Sequence, residues 1–194
     1  MASGKGAGIF KLAKPFFRFL KTDAHVAKDA AHAKPRFKLK SMGEEYKYEH
    51  VPGHPKNKWN PSHVVHLNDA QREQLRLTVG HDGKLYDSRG LPFDTRDGMS
   101  VHTKGGGRAI FVMDEHGSIY ASNYQEVGRF HHSSFLGGKP VAGAGELQVH
   151  NGNIMAISRQ SGHYRPGPEH LGQVVDQLRG QGARFGNHHI EWGV

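Results

Sequence analysis

Between residues 108 and 166 the chain gathers side chains of types that do chemistry. His131, His132, Ser133, Ser134 and Phe135 fall in GRFHHSSFLGG, Glu146 follows VAGAG, and His163 and Tyr164 fall in SGHYRP. A β-sheet needs only alternation and turns, so such a density of His, Ser, Tyr and Glu points to polar groups converging on one place. Glu146 stands where small neighbours let a ligand approach closely, which suits acid–base work or stabilisation of a developing positive charge. His163 can donate a proton or anchor a polar group, and Tyr164 can stack against a ring. Arg108 or Arg89 offers a fork that matches phosphate oxygens.

Several chemistries are excluded. The chain has no cysteine, so disulfides, Cys-based zinc sites and a Cys nucleophile are absent. No G-x-S-x-G elbow occurs, which argues against a serine hydrolase. Gly105-Gly106-Gly107-Arg108 precedes a strand pattern, so it is neither a P-loop nor a dinucleotide fingerprint. Residues 129–135 read as a strand, which places His131 and His132 on opposite faces and argues against a metal shared between them. The expected site therefore uses no metal.

The elements that must position these groups follow from turns and periodicity. Asn68, with Gln71 three residues on, caps a helix over DAQREQLRL. Asp82-Gly83 joins 75–79 to 84–86 as a hairpin, a second hairpin joins 108–113 to 118–122, and Asn151-Gly152 closes a third between 146–149 and 154–158. Pro168 opens a last helix, with Leu171, Val174, Val175 and Leu178 on one face, and 184–192 reads as a short final strand. The loop 50–63, with three prolines, is held to the body by Trp59. The expected fold is α+β, a mostly antiparallel sheet with an N-terminal and a C-terminal helix.

Charge divides the chain. Residues 1–40 hold ten Lys/Arg against Asp23 and Asp29, whereas 41–194 hold sixteen of each sign. We read 1–40 as a basic arm, with an apolar stretch over 8–21 and an Ala-rich helix over 24–33, and 41–194 as one domain. No run approaches the ~18 apolar residues of a membrane span, so no stable membrane insertion is expected.

The strings LYDSRGLPFDT, GRAIFVMDEHGSIYAS, FHHSSFLGGKPVAGAGELQV and SGHYRP, over about residues 64–182, resemble the C-terminal toxin modules of bacterial polymorphic toxins, including the Rhs type. That resemblance implies a divergent ADP-ribosyltransferase with a split sheet, which takes NAD+ and passes ADP-ribose to a protein or structured RNA. It casts Glu146, His131 and His132 as catalytic, and Arg108, Arg89, Ser133, Ser134, Phe135, His163 and Tyr164 as NAD+-binding. It further implies a monomeric effector delivered into a target-cell cytoplasm, as in interbacterial competition through type VI secretion, and a cognate immunity protein. Two other readings stay open. One is a metal-independent ribonuclease with His131 or His132 and His163 as base and acid and Lys139 on the phosphate; the other is a non-enzymatic binding module.

Overall fold

The computed structural model describes residues 36–193, so the arm's apolar stretch and its Ala-rich helix lie outside the described residues. In chain order the elements are α1 (Asp69–Glu73), β1 (Arg76–Val79), β2 (Leu85–Tyr86), β3 (Ala109–Met113), β4 (Ile119–Ser122), α2 (His132–Leu136), β5 (Gly143–His150), β6 (Asn153–Ser158), α3 (Pro168–Gly180) and β7 (Ile190–Glu191). The fold is α+β. Its seven strands form one sheet in the order β2-β1-β4-β3-β5-β6-β7, antiparallel except for the β6–β7 pair. One continuous sheet stands where the resemblance called for a split one, which corrects that part of the expectation.

Alternation along β3 explains the layering. Ala109, Phe111 and Met113 join one apolar cluster, and Ile110 and Val112 the other. A strand apolar on both faces has to be central, with cover on each side. On the first face α3 supplies that cover through Leu171, Val174, Val175 and Leu178, all buried. Burying each such side chain contributes roughly 1.5–3 kcal/mol. Phe130, Phe135, Leu136, Val141 and Tyr164 cover the second face. Glu146 pairs with Ile110 across β3 and β5 and shares the alternation of Ala144, so it too faces the second layer.

The turn chemistry holds. Asn68 and Gln71 form a reciprocal capping box with both bonds at 2.9 Å, although α1 ends at Glu73 so that Arg76 can begin β1. Asn151 and Gly152 both take positive φ, 47° and 80°, as a two-residue hairpin of this kind requires. Two expectations fail. The final strand is only Ile190–Glu191, after a short 3-10 turn over Asn187–His189. More consequentially, 129–135 is not a strand: His131 is an extended N-cap, 132–136 is helical, and Gly137 closes the turn at φ 62°. Ser134 Oγ accepts the His131 backbone N–H at 3.1 Å, so the hydroxyl that looked like pocket lining is a helix-end partner.

Two glycines in β5 are steric requirements. A methyl on Gly145 would overlap the Ser158 carbonyl, and one on Gly143 would overlap the Val174 side chain of α3. Gly172, within α3, has open space around the same position. Gly145→Ala should therefore cost about 2–3 kcal/mol of unfolding free energy in urea titrations. Gly172→Ala should instead add about 0.5–1 kcal/mol by removing backbone freedom from the unfolded chain. Equal effects of the two would refute the close approach of β5 to its neighbours.

Candidate functional site

The polar layer on the second face is organised by a carboxylate that the sequence did not single out. Glu49 is 1 % exposed and receives three donors: Ser133 Oγ at 2.5 Å, Trp59 Nε1 at 3.0 Å and His163 Nε2 at 2.9 Å. Burial pushes its pKa up, but the three donors outweigh burial and hold it below the ordinary carboxylate value. The carboxylate also fixes His163, whose Nε2–H is committed to Glu49 and whose Nδ1 has no hydrogen bond among the described residues. The His163 ring stacks on Tyr46 at 4.0 Å and lies 4.5 Å from His131, which in turn stacks on Trp59 at 5.4 Å. Lys58 sits over the outer rings, 3.9 Å from Tyr46 and 5.0 Å from Trp59.

Burial, then the neighbouring His163, lowers the His131 pKa to about 4, and its Nε2 accepts the Gly128 N–H at 2.8 Å, as only the neutral ring can. His132 is also kept neutral: burial lowers its pKa to about 3, and its Nε2 bonds the Gly145 carbonyl at 2.9 Å. Tyr164 is 1 % exposed and donates to the Lys139 carbonyl at 2.8 Å, and burial followed by the Glu49 charge drives its pKa up. Its ring belongs to the core beside Phe135 rather than to a stacking platform.

Glu146 forms a second centre on the same face. It is 1 % exposed and accepts the Ser100 hydroxyl on one oxygen and the Thr103 hydroxyl, at 2.6 Å, on the other. Arg108 lies 3.9 Å away and is itself held by Glu191 through two 2.6 Å bonds. The Glu191 hydrogen bonds outweigh partial burial and raise the Arg108 pKa. His102, on the same loop as Ser100 and Thr103, lies over Gly162 and is close enough to help depress both His131 and His132.

Of the residues expected from sequence, the fold brings His131, His132, Ser133, Ser134, Phe135, His163 and Tyr164 to one layer, with Glu146 and Arg108 on the adjoining strands. Arg89 is elsewhere, exposed beyond β2 and paired with Asp87 at 2.7 Å. Sequence reading missed Glu49, Tyr46, Ser100 and Thr103, because loops carry no periodicity that marks which side chains turn inward. The one available signal was a carboxylate between aromatics in YKYEH. Among the described grooves, one of about 360 Å³ is lined by Arg76, Thr78, His116 and Gln177, none of them part of either centre. The chemistry therefore lies in a packed layer. No group of three or more His, Asp or Glu suited to a metal ion occurs among the described residues.

The family described as "IQ motif-containing protein middle domain" matches residues 71–171. Similar proteins from Arabidopsis thaliana include IQ domain-containing protein IQM3, 32 % identical over 69 % of this chain and 28 % of that protein. IQ domain-containing protein IQM2 is 31 % identical over 75 % of the chain and 23 % of its own length. The chain thus spans about a quarter of the length of the curated relatives it matches. No solved structure matches it. These relatives overturn the resemblance to bacterial Rhs-type toxins and what it carried: ADP-ribosyl transfer, the delivered effector in a target-cell cytoplasm, type VI secretion and the immunity protein. The ribonuclease reading, which rested on the same toxin plan, falls with it. The FHHSSF and SGHY strings that suggested a toxin lie inside the family match.

Acid titration should expose the buried imidazoles. Their folded pKa values, about 4 for His131 and about 3 for His132, lie below the unfolded value of 6.5. The unfolded chain therefore binds more protons below pH 6.5, and stability falls with pH, by a limiting slope of about 1.4 kcal/mol per unit for each ring. Glu49, with its lowered pKa, adds a further loss below its unfolded value of 4.5. In His132→Gln the amide still donates to Gly145 but does not titrate, so the slope between pH 6 and 4 should shrink by one proton; an unchanged slope would remove His132 as its source.

Proposed function

Because this chain belongs to the IQ motif-containing protein middle-domain family, we propose that it is the folded recognition domain of a larger protein and holds a small polar ligand at Glu146 and Arg108. The domain takes in the end of the segment read as an arm over 1–40, because Phe37 and Leu39 pack against the core and Lys40 pairs with Val141. The chain contains no Ile–Gln pair. The function proposed here belongs to the domain itself.

The observation that carries this reading is the pairing of opposite charges at Glu146 and Arg108, 3.9 Å apart, at the margin between sheet and loop. A carboxylate and a guanidinium side by side offer acceptors and donors to one polar molecule. The other expected site residues take supporting roles. Ser133 and His163 are fixed by Glu49, His131 and Ser134 set the start of α2, His132 braces β5 beside Glu146, and Phe135 and Tyr164 fill the apolar wall. NAD+, which bears both hydroxyls and phosphates, is one such ligand, bound rather than turned over.

Ligand-observed NMR with a panel of nucleotides and phosphorylated sugars, NAD+ included, tests this. At least one compound should bind, and Glu146→Gln should weaken it by about tenfold or more, the scale of one charged hydrogen bond. Arg89→Ala, remote from the centre, should leave binding unchanged. Compounds that bind Glu146→Gln as tightly as the parent would place the site elsewhere, and a panel without any binder would defeat the proposal.

A further inference from the structure

We infer that the Glu146–Arg108 centre takes a phosphorylated sugar, with two neighbouring hydroxyls on Glu146 and the phosphate on Arg108. This rests on the reading of that centre as a ligand site. Each group of the centre already holds a partner from within the chain. Ser100 Oγ and Thr103 Oγ1 donate to Glu146 one hydroxyl per carboxylate oxygen. A vicinal diol presents that same pair of donors to a carboxylate. On Arg108, Glu191 places one carboxylate oxygen against each terminal nitrogen, at 2.6 Å each, as two oxygens of a phosphate would. The chain has filled the centre with its own two hydroxyls and its own oxyanion.

Of the segments that carry these stand-ins, Ser100 is anchored, 5 % exposed with its N–H on the Arg108 carbonyl and the Val101 N–H on Gln125, whereas Thr103 lies beyond those ties. Ser100 and Thr103 belong to a loop that returns to β3 through Gly105, Gly106 and Gly107, all at positive φ (92°, 73° and 82°). Val101 and His102 between them are exposed, so the loop's outer side has little packing to lose. Glu191 sits on β7, which contributes two residues to the sheet edge, pairing Ile190 with Ile157 and Glu191 with Ser158. Its side chain is 37 % exposed against 17 % for Arg108, so the anion lies on the solvent side of the pair. Exchange replaces hydroxyl by hydroxyl and anion by anion. Glu146 is never left as a buried carboxylate without donors, the state that makes opening of such a centre costly.

The stand-ins then act as internal competitors, and their removal has a sign that a structural staple does not share. Calorimetric titration with ribose 5-phosphate, 2-deoxyribose 5-phosphate and ribose would be run on the parent chain, Thr103→Val, Ser100→Ala/Thr103→Val and Glu191→Gln. Circular dichroism and thermal unfolding of each variant report the fold, and Thr103→Val preserves side-chain size where the double variant does not fold. Ribose 5-phosphate should bind the hydroxyl-free variants about tenfold tighter than the parent, because a closed state no longer competes. Glu191→Gln should tighten both phosphorylated sugars and leave ribose unchanged. Folded variants that bind ribose 5-phosphate no better than the parent would overturn the stand-in argument. Equal affinity for 2-deoxyribose 5-phosphate would overturn the diol assignment alone and leave a phosphate site. If neither the parent nor any folded variant binds any of the three, while another compound of the panel still depends on Glu146, the sugar class falls and the ligand site stands.

Discussion

Glu49 is the charge on which the second face of this domain depends. Its carboxylate joins residues 84 and 114 positions away, Ser133 on α2 and His163 in the SGHY turn, to the tryptophan of its own loop. A carboxylate at 1 % exposure is tolerated only when its donors are in place. Folding of the 44–64 loop, α2 and the 161–166 turn is therefore coupled: none can leave without stranding the charge. Removal of one partner of such a buried charge typically costs about 3–5 kcal/mol, far more than an exposed ion pair contributes.

That coupling explains why so many candidate catalytic groups turn out to be committed. His131 accepts from Gly128, His132 is tied to Gly145, Tyr164 to Lys139, and Ser133 to Glu49. Each bond satisfies a polar atom that burial would otherwise penalise. Burial holds His131 and His132 neutral, and His131 packs between the His163 ring, which stacks on Tyr46, and the Trp59 ring. Residue types that could do chemistry have been used to let a polar layer pack at core density against an apolar sheet.

The sheet was legible in the sequence because hairpin turns and alternation are local signals. Asp82-Gly83 placed its hairpin within a residue and Asn68 fixed the start of α1, although the helix ends four residues before the expected Leu77 and β5 begins three before the expected Glu146. The FHHSSF segment was not legible for the opposite reason. Its pattern of apolar ends around polar residues fits a strand, and only Gly137 in a left-handed conformation, with Ser134 folding back to the His131 N–H, selects a helix. The site was half legible. Glu146, Arg108 and His163 stand in or beside regular elements, whereas Glu49, Ser100 and Thr103 lie in loops whose inward side chains are chosen by distant partners. The functional class was misread because a string of residue types says which groups are present and not whether a fold spends them on itself.

The two carboxylates of the second face differ in that respect, although both are 1 % exposed. Donors to Glu49 come from an indole, an imidazole in a ring stack and a hydroxyl inside a buried helix, all held by further packing. Donors to Glu146 come from two hydroxyls on a glycine-bounded loop, and its cationic neighbour is held from a two-residue edge strand. Local opening follows the least anchored segments, which on this face are Thr103 with its following glycines and the two-residue β7 rather than the ring stack around Glu49. The polar layer thus holds one carboxylate through a ring stack and a buried helix and the other through loop hydroxyls and an edge strand, and the ligand proposed above would enter at the second.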